Sequence, residues 1–209
     1  MLVSPRTGKP KVMKFRLSTA LLSLWLLSSA TAAEARMFKV DGTDPRDGSP
    51  YEGIGLLSED GDGRLYFICD SDRDLPQILF TRPEYLTFAG DAFSVTYSPD
   101  DGTEHQHYFL AESEGKIGRF YIRHTEMYEA RFGARPKMFD TTTGALAQPY
   151  VDWNREVHDT FIDDFVGASS VRFRVWNREK QHRDYLFDTS GLSRHLGLIG
   201  KCYAPSNPG

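Results

Sequence analysis

FIDDFVGASSVRFRVWNREKQHRDYLFDTSGL, residues 161–192, runs through three periods in succession. Up to Gly167 the apolar residues recur at helical spacing: Phe161 with Phe165 and Ile162 with Val166 extend a stripe that begins at Val157. Read from Arg155, this helix has Asp159 in its first turn, where the helix dipole favours a carboxylate. Val171, Phe173 and Val175 then alternate with polar residues, as one face of a strand does. Residues 177–181 read as a turn, after which Arg183, Tyr185 and Phe187 alternate back. Thr189 or Ser190 stands at the N-cap of a final helix, with Leu192, Leu196 and Ile199 on one stripe and Cys202 in the last turn. The order is helix, strand, strand, helix.

Upstream the period is two almost throughout. Phe38 and Val40 mark a first strand, and residues 53–57 and 65–69 flank an Asp/Gly cluster suited to a hairpin loop. Residues 78–81, 92–97, 104–111 and 117–123 continue as strands. Residues 125–150 are polar and Thr-rich, with one short helical stretch over 126–132. Strands outnumber helices and no strand–helix–strand crossover repeats. The predicted fold is therefore α+β: an antiparallel meander with two helices in the C-terminal half and one disulfide.

The first 35 residues read as an export signal. Arg6, Lys9, Lys11, Lys14 and Arg16 form a basic region, and residues 17–27 (LSTALLSLWLL) form an apolar run too short to span a bilayer. Two A-x-A cleavage patterns follow, placing the mature start at Ala33 or Arg36. A segment beginning at Met13 already makes a complete signal. The expected protein is a single α+β domain over 36–209, periplasmic or secreted, with no membrane span once the signal is cleaved. Of the 25 Lys/Arg and 29 Asp/Glu of the whole chain, five and one lie in the signal, leaving 20 basic and 28 acidic side chains and a formal charge of −8. That balance opposes nonspecific binding to nucleic acid or to anionic lipid. Arg172, Arg174, Arg178, Lys180 and Arg183 alternate with apolar residues and read as the solvated face of strands. The remaining composition, 40% hydrophobic and 26% charged with a mean hydropathy of −0.46, is that of an ordinary globular chain.

Cys69 and Cys202 both lie beyond the signal, and an exported chain with two cysteines most simply pairs them. Closing a loop of that length stabilises by on the order of 5 kcal/mol in the chain-entropy model.

The segments LYFICD (65–70), 78–81, 92–97, 161–175 and above all FDTSGL (187–192) running to Cys202 resemble small exported bacterial proteins. That group includes the accessory proteins of type VI secretion often called VasI or TagO. It differs here in having Ile68 before the first Cys and Ser98-Pro99-Asp100 at the third strand. The resemblance implies a Cys69–Cys202 bridge, a noncatalytic accessory or binding role without a cofactor, and an envelope or secretion-system protein as partner.

Motifs whose geometry dictates a mechanism are missing: there is no G-x-S-x-G, H-E-x-x-H, Walker loop, G-x-G-x-x-G or C-x-x-C. Gly191-Leu192-Ser193 lacks the flanking glycine of a nucleophile elbow, so Ser193 reads as surface or capping. The sharpest metal candidates are His105 and His107, which share a strand face, with His124 on the next strand. If residues paired across that hairpin sum to 229, His105 faces His124; if they sum to 228, His124 lies on the opposite face. A zinc-dependent periplasmic hydrolase or lyase using His105, His107 and His124 is therefore the alternative function. Asp60-Gly61-Asp62 and Asp100-Asp101-Gly102 offer clustered oxygens, but without the EF-hand pattern they read as turns. Glu156, Asp159, Asp163 and Asp164 hold the spacing of paired carboxylates, and equally that of the exposed side of a helix.

Overall fold

The computed structural model describes residues 36–44, 48–70, 74–112, 115–122, 125–133, 147–177 and 179–203; the predicted signal and His124 lie outside them. Among the described residues nine strands form one antiparallel sheet: β1 Met37–Thr43, β2 Pro50–Leu57, β3 Arg64–Asp70, β4 Gln77–Thr81, β5 Ala92–Pro99, β6 His105–Ala111, β7 Ile117–Phe120, β8 Ser170–Trp176 and β9 His182–Asp188. Helices α1 (Thr125–Phe132) and α2 (Gln148–Gly167) fall between β7 and β8, and a 3-10 helix, Leu192–Leu198, follows β9. The chain is thus α+β, with its helices in the C-terminal half.

The spatial order is β1-β2-β3-β4-β7-β6-β5-β8-β9. It departs from a simple meander at one place: β4 pairs with β7, and β5 passes to the far side to receive β8. The connection over residues 82–91 is long enough to carry the chain past two strands, whereas the loops from β5 to β6 and from β6 to β7 permit only adjacent hairpins.

Alternation places Leu65 and Phe67, Ile78 and Phe80, Val95 and Tyr97, and Val171 and Phe173 on one face, and all are buried. That face is concave. Phe80 of β4 meets both Phe173 of β8 and Tyr185 of β9 at 5.1 Å between ring centroids, across the interior of the sheet. The last strand accordingly returns to the first half: the Glu59 N–H donates to the Leu186 carbonyl at 2.8 Å. Gly63 sits under the Tyr185 ring, where a Cβ would stand 2.4 Å from Cδ1, so this approach requires glycine. Arg183 of β9 spans the same seam, with Nη1 on Glu84 Oε1 at 2.8 Å and Nη2 on Asp60 Oδ2 at 3.0 Å and also on Asp62.

Helix α2 lies across the open side of this curled sheet. Of the stripe predicted from the sequence, Phe161, Ile162 and Phe165 are buried and Val157 and Val166 are half-buried against the core. Phe161 contacts Tyr97 at 4.8 Å and Phe120 at 4.9 Å, and Phe165 contacts Phe67 at 5.8 Å. Burying each such ring contributes about 1.5–3 kcal/mol, which outweighs the modest helical propensity of a segment containing Val, Thr and four aspartates. The buried apolar residues form one contiguous cluster.

Two helix boundaries differ from expectation. α2 begins at Gln148, about two turns before Arg155, because Pro149 occupies its first turn, where a missing N–H costs nothing. Tyr150 and Trp153 carry the buried stripe back to that start, and Asp159 therefore lies mid-helix, away from the dipole's positive end. The final helix is a short 3-10 segment rather than an α-helix, as suits seven residues containing Ser193 and Gly197. Neither Thr189 nor Ser190 caps it: Thr189 Oγ1 donates to the Ala168 carbonyl at 2.7 Å, and Ser190 donates through N and Oγ to Asp188. Cys202, just beyond, is bonded to Cys69 of β3, with the Cα atoms 6.0 Å apart.

Candidate functional site

His105 and His107 project from β6 toward the concave face, opposite Tyr97 and Val95 of β5. The Tyr97 ring stacks on both imidazoles, at 5.2 Å from His105 and 5.6 Å from His107. Across the β6–β7 hairpin the pairs are Phe109 with Phe120 and Leu110 with Arg119, and the Tyr121 N–H donates to the Tyr108 carbonyl. Each pair sums to 229, one of the two registers the sequence left open for this hairpin. Strand β7 itself ends at Phe120, and His124 lies outside the described residues. Among the described residues no three His, Cys, Asp or Glu side chains are grouped to hold a metal ion.

The structure brings a different histidine to this face. His158 of α2 stands edge-on to Phe120 at 5.1 Å, and Phe120 in turn lies 5.1 Å from His107. Its ring Nδ1 lies 2.9 Å from the Asn154 carbonyl, which only accepts, so Nδ1 carries the proton and Nε2 keeps its lone pair. Burial lowers the His158 pKa, with the carbonyl contact opposing. Burial also pushes His107 down to about 4, helped by the neighbouring His105 and His158. Both rings are neutral at neutral pH. Enclosed by Tyr97, Phe120 and Phe161, His107 leaves Nδ1 buried without a hydrogen-bond partner among the described residues. Sequence alone could have found His158 from its spacing: Asn154, His158, Phe161 and Phe165 follow one helical stripe.

Beside His158 the sheet opens. β4 and β7 pair from Thr81–Ile117 to Leu79–Arg119 and then stop, although β4 begins two residues earlier and β7 runs on to Phe120. A cavity of about 390 Å³ occupies this fork, closed on its other side by α2. Leu75, Pro76, Ile78, Phe120 and Val151 supply its apolar wall. Its polar lining includes Asn154, Arg155, His158 and Arg119. Asn154 Oδ1 and Arg119 Nε are both buried without a hydrogen-bond partner among the described residues. A size of this order and an apolar wall with a few convergent polar groups are what small-ligand sites share.

The other predicted groups are placed elsewhere. Asp60 and Asp62 receive Arg183, and Ser58 Oγ donates to Asp60, so that cluster is a charged hairpin loop with Gly61 at φ 78°. Asp100 and Asp101 sit at φ 46° and 55° in a turn, and Asp100 Oδ1 accepts the Ser169 and Ser170 N–H groups at 2.9 Å. On α2, Asp164 accepts from the Tyr97 hydroxyl at 2.7 Å and Asp163 from that of Tyr203. These carboxylates therefore face structural hydroxyls instead of forming the free exposed row their spacing allows. Burial raises the Asp159 pKa, with Arg155 opposing. Glu156 reaches Arg131 at 3.5 Å on the surface. Arg172 and Arg174 pair with Asp101 and Asp184 on the outer side of the sheet, as a solvated strand face does. Arg178 lies outside the described residues, and Ser193 is exposed.

No family model, no curated protein and no solved structure matches this chain. Chemically, the arrangement holds two uncharged imidazoles against aromatic rings, and a fork cavity lined by residues that carry one donor, Arg119 Nε, and one acceptor, Asn154 Oδ1, without a partner among the described residues. Such an arrangement offers complementarity of shape and of hydrogen bonds. Among the described residues, no helix is long and apolar enough to cross a membrane.

Proposed function

We propose that this chain is an exported, noncatalytic binding or accessory protein of the bacterial envelope, working with an envelope or secretion-system partner. The fork cavity carries this reading: its wall is largely apolar, and residues that line it hold buried polar atoms without a partner among the described residues, as a site awaiting a ligand does. Export is supported by the basic, apolar and small-residue sequence of residues 1–35 and by the disulfide, a bond suited to an oxidising compartment. A noncatalytic role is supported by the absence of a recognisable catalytic motif in the sequence and by His107, whose ring is held among Tyr97, Phe120 and Phe161. Kinship with the type VI secretion accessory proteins belongs to the same proposal.

The test is expression of the full chain, with a photoreactive amino acid at Val151 on the cavity wall or at exposed Phe38 as a control. The expected result is a periplasmic, oxidised protein shortened at its N-terminus. It should cross-link to one envelope component from position 151 and not from position 38. A cytoplasmic protein with reduced thiols, or metal-dependent hydrolytic turnover by the purified protein, would overturn the reading.

A further inference from the structure

The fork between β4 and β7 has a definite chemical polarity. Strand alternation turns Gly118 and Phe120 inward and Arg119 outward, so Arg119 approaches the fork from one side of the sheet and α2 from the other. Arg119 Nε is an unused N–H donor, while its Nη2 is engaged by Glu112. Arg155 adds a second guanidinium on the exposed rim, 3.5 Å from the Asp74 carbonyl and within electrostatic reach of Asp159. On the α2 side, Asn154 Oδ1 and His158 Nε2 are acceptors. Between these two groups lies the apolar wall. Native proteins leave few buried polar atoms unpaired, and here Asn154 Oδ1 and Arg119 Nε, of opposite hydrogen-bonding sense and without a partner among the described residues, belong to residues that line one cavity, whose lining also includes Asp74 and Gln77.

The geometry points to a molecule carrying a carboxylate next to an amide N–H and an apolar side chain: the C-terminal residue of a peptide. Its carboxylate meets the guanidinium groups of Arg155 and Arg119, its N–H meets Asn154 Oδ1 or His158 Nε2, and its side chain lies against Ile78, Phe120 and Val151. A neutral imidazole suits this role, because a protonated His158 would offer a donor where the ligand also brings one. A simple apolar acid supplies the carboxylate without the N–H, and a peptide amide supplies the N–H without the carboxylate. The inference rests on the binding-module reading and narrows it to one ligand class.

The test titrates the oxidised full chain with three probes while backbone amide shifts are followed by NMR: N-acetyl-alanyl-phenylalanine as the free acid, the same dipeptide as its amide, and phenylpropionate. The expected result is saturable binding of the free acid, with shifts concentrated at residues 75–78 and 151–158, and at least tenfold weaker binding of each of the other two. Arg155→Gln, on an exposed side chain that leaves the core untouched, should weaken the free acid by about tenfold, the scale of one charge-assisted contact. Asn154→Leu should abolish the preference for the dipeptide acid over phenylpropionate. Gln106→Ala, on the outer face of β6, should change nothing. Equal binding of acid and amide overturns the ligand class. Shifts confined to another surface, or no binding of any probe at millimolar concentration, overturn the site. The wider binding reading has its own readout, export and cross-linking from position 151, so a wrong ligand class and a wrong site are told apart from its failure.

Discussion

Phe80 and Phe173 touch ring to ring at 5.1 Å although β7, β6 and β5 lie between their strands in the sheet. A flat sheet would hold them several strand spacings apart, so the contact measures how far the sheet has coiled. Both rings are fully buried. Phe80→Ala should cost about 3–5 kcal/mol in urea unfolding, the range for truncating a core aromatic. Phe38→Ala, on a ring that is 38% exposed and packs edge-on to Tyr66, should cost less than half of that. Equal losses would mean that the coiled interior contributes no more than the outer face.

The seam where β9 returns to the β2–β3 loop combines charge with close packing, and the two separate by mutation. The Arg183 side chain is 36% exposed and its acidic partners more so, so Arg183→Gln should cost about 1 kcal/mol or less, with the difference shrinking in high salt. Gly63→Ala puts a methyl into the Tyr185 ring and should cost about 1–3 kcal/mol at any ionic strength. Denaturation curves of both variants at low and high salt decide the matter.

Stability should fall in mild acid because of His107. Its pKa in the folded protein is lowered to about 4, against an ordinary value of 6.5. Below 6.5 the unfolded chain takes up a proton that the folded chain refuses, so stability declines as pH drops through that value and the loss is complete near 4. The effect is on the order of 3 kcal/mol, and His158, shifted in the same direction, adds to it. His107→Phe, which keeps the aromatic packing, should flatten this limb of the stability profile. An unchanged profile between pH 6.5 and 4 would show that the imidazole charges freely in the fold.

Replacing both cysteines by Ser should lower stability by about 2–5 kcal/mol and leave the sheet in place, as read by thermal unfolding and far-ultraviolet dichroism. The 3-10 helix also rests on other anchors: Leu192 and Ile199 are buried, and Tyr203 donates to Asp163 of α2. Reductant should therefore shift the melting temperature of the native protein and not that of the double variant.

Much of the fold was legible because burial imposes its period on the sequence. Phe93, Val95 and Tyr97 alternate because one face of β5 is interior, and Phe161 with Phe165 repeats because one side of α2 is. The start of α2 was obscured because Pro149 and the polar residues before it look like a loop, although a proline in the first turn favours a helix. The pairing of β4 with β7 leaves no local mark, since strand order depends on which buried faces meet across the interior. The candidate site was half legible: His105 and His107 share a face as their spacing requires. The partner of that face is Asn154 and His158 on a distant helix, and the fork exists only where a ladder ends.

The bond between Cys69 and Cys202 also orders events in time. The two residues stand 133 positions apart, so at roughly 5–20 residues per second Cys202 leaves the ribosome about 7–27 s after Cys69. Throughout that interval β3 carries a solitary thiol, and β8 and β9, needed to close the interior around it, are complete only near its end. The bridge ties the segment after the last strand back to the third, and with two cysteines in the chain, any disulfide that Cys69 forms before Cys202 is available joins it to another molecule.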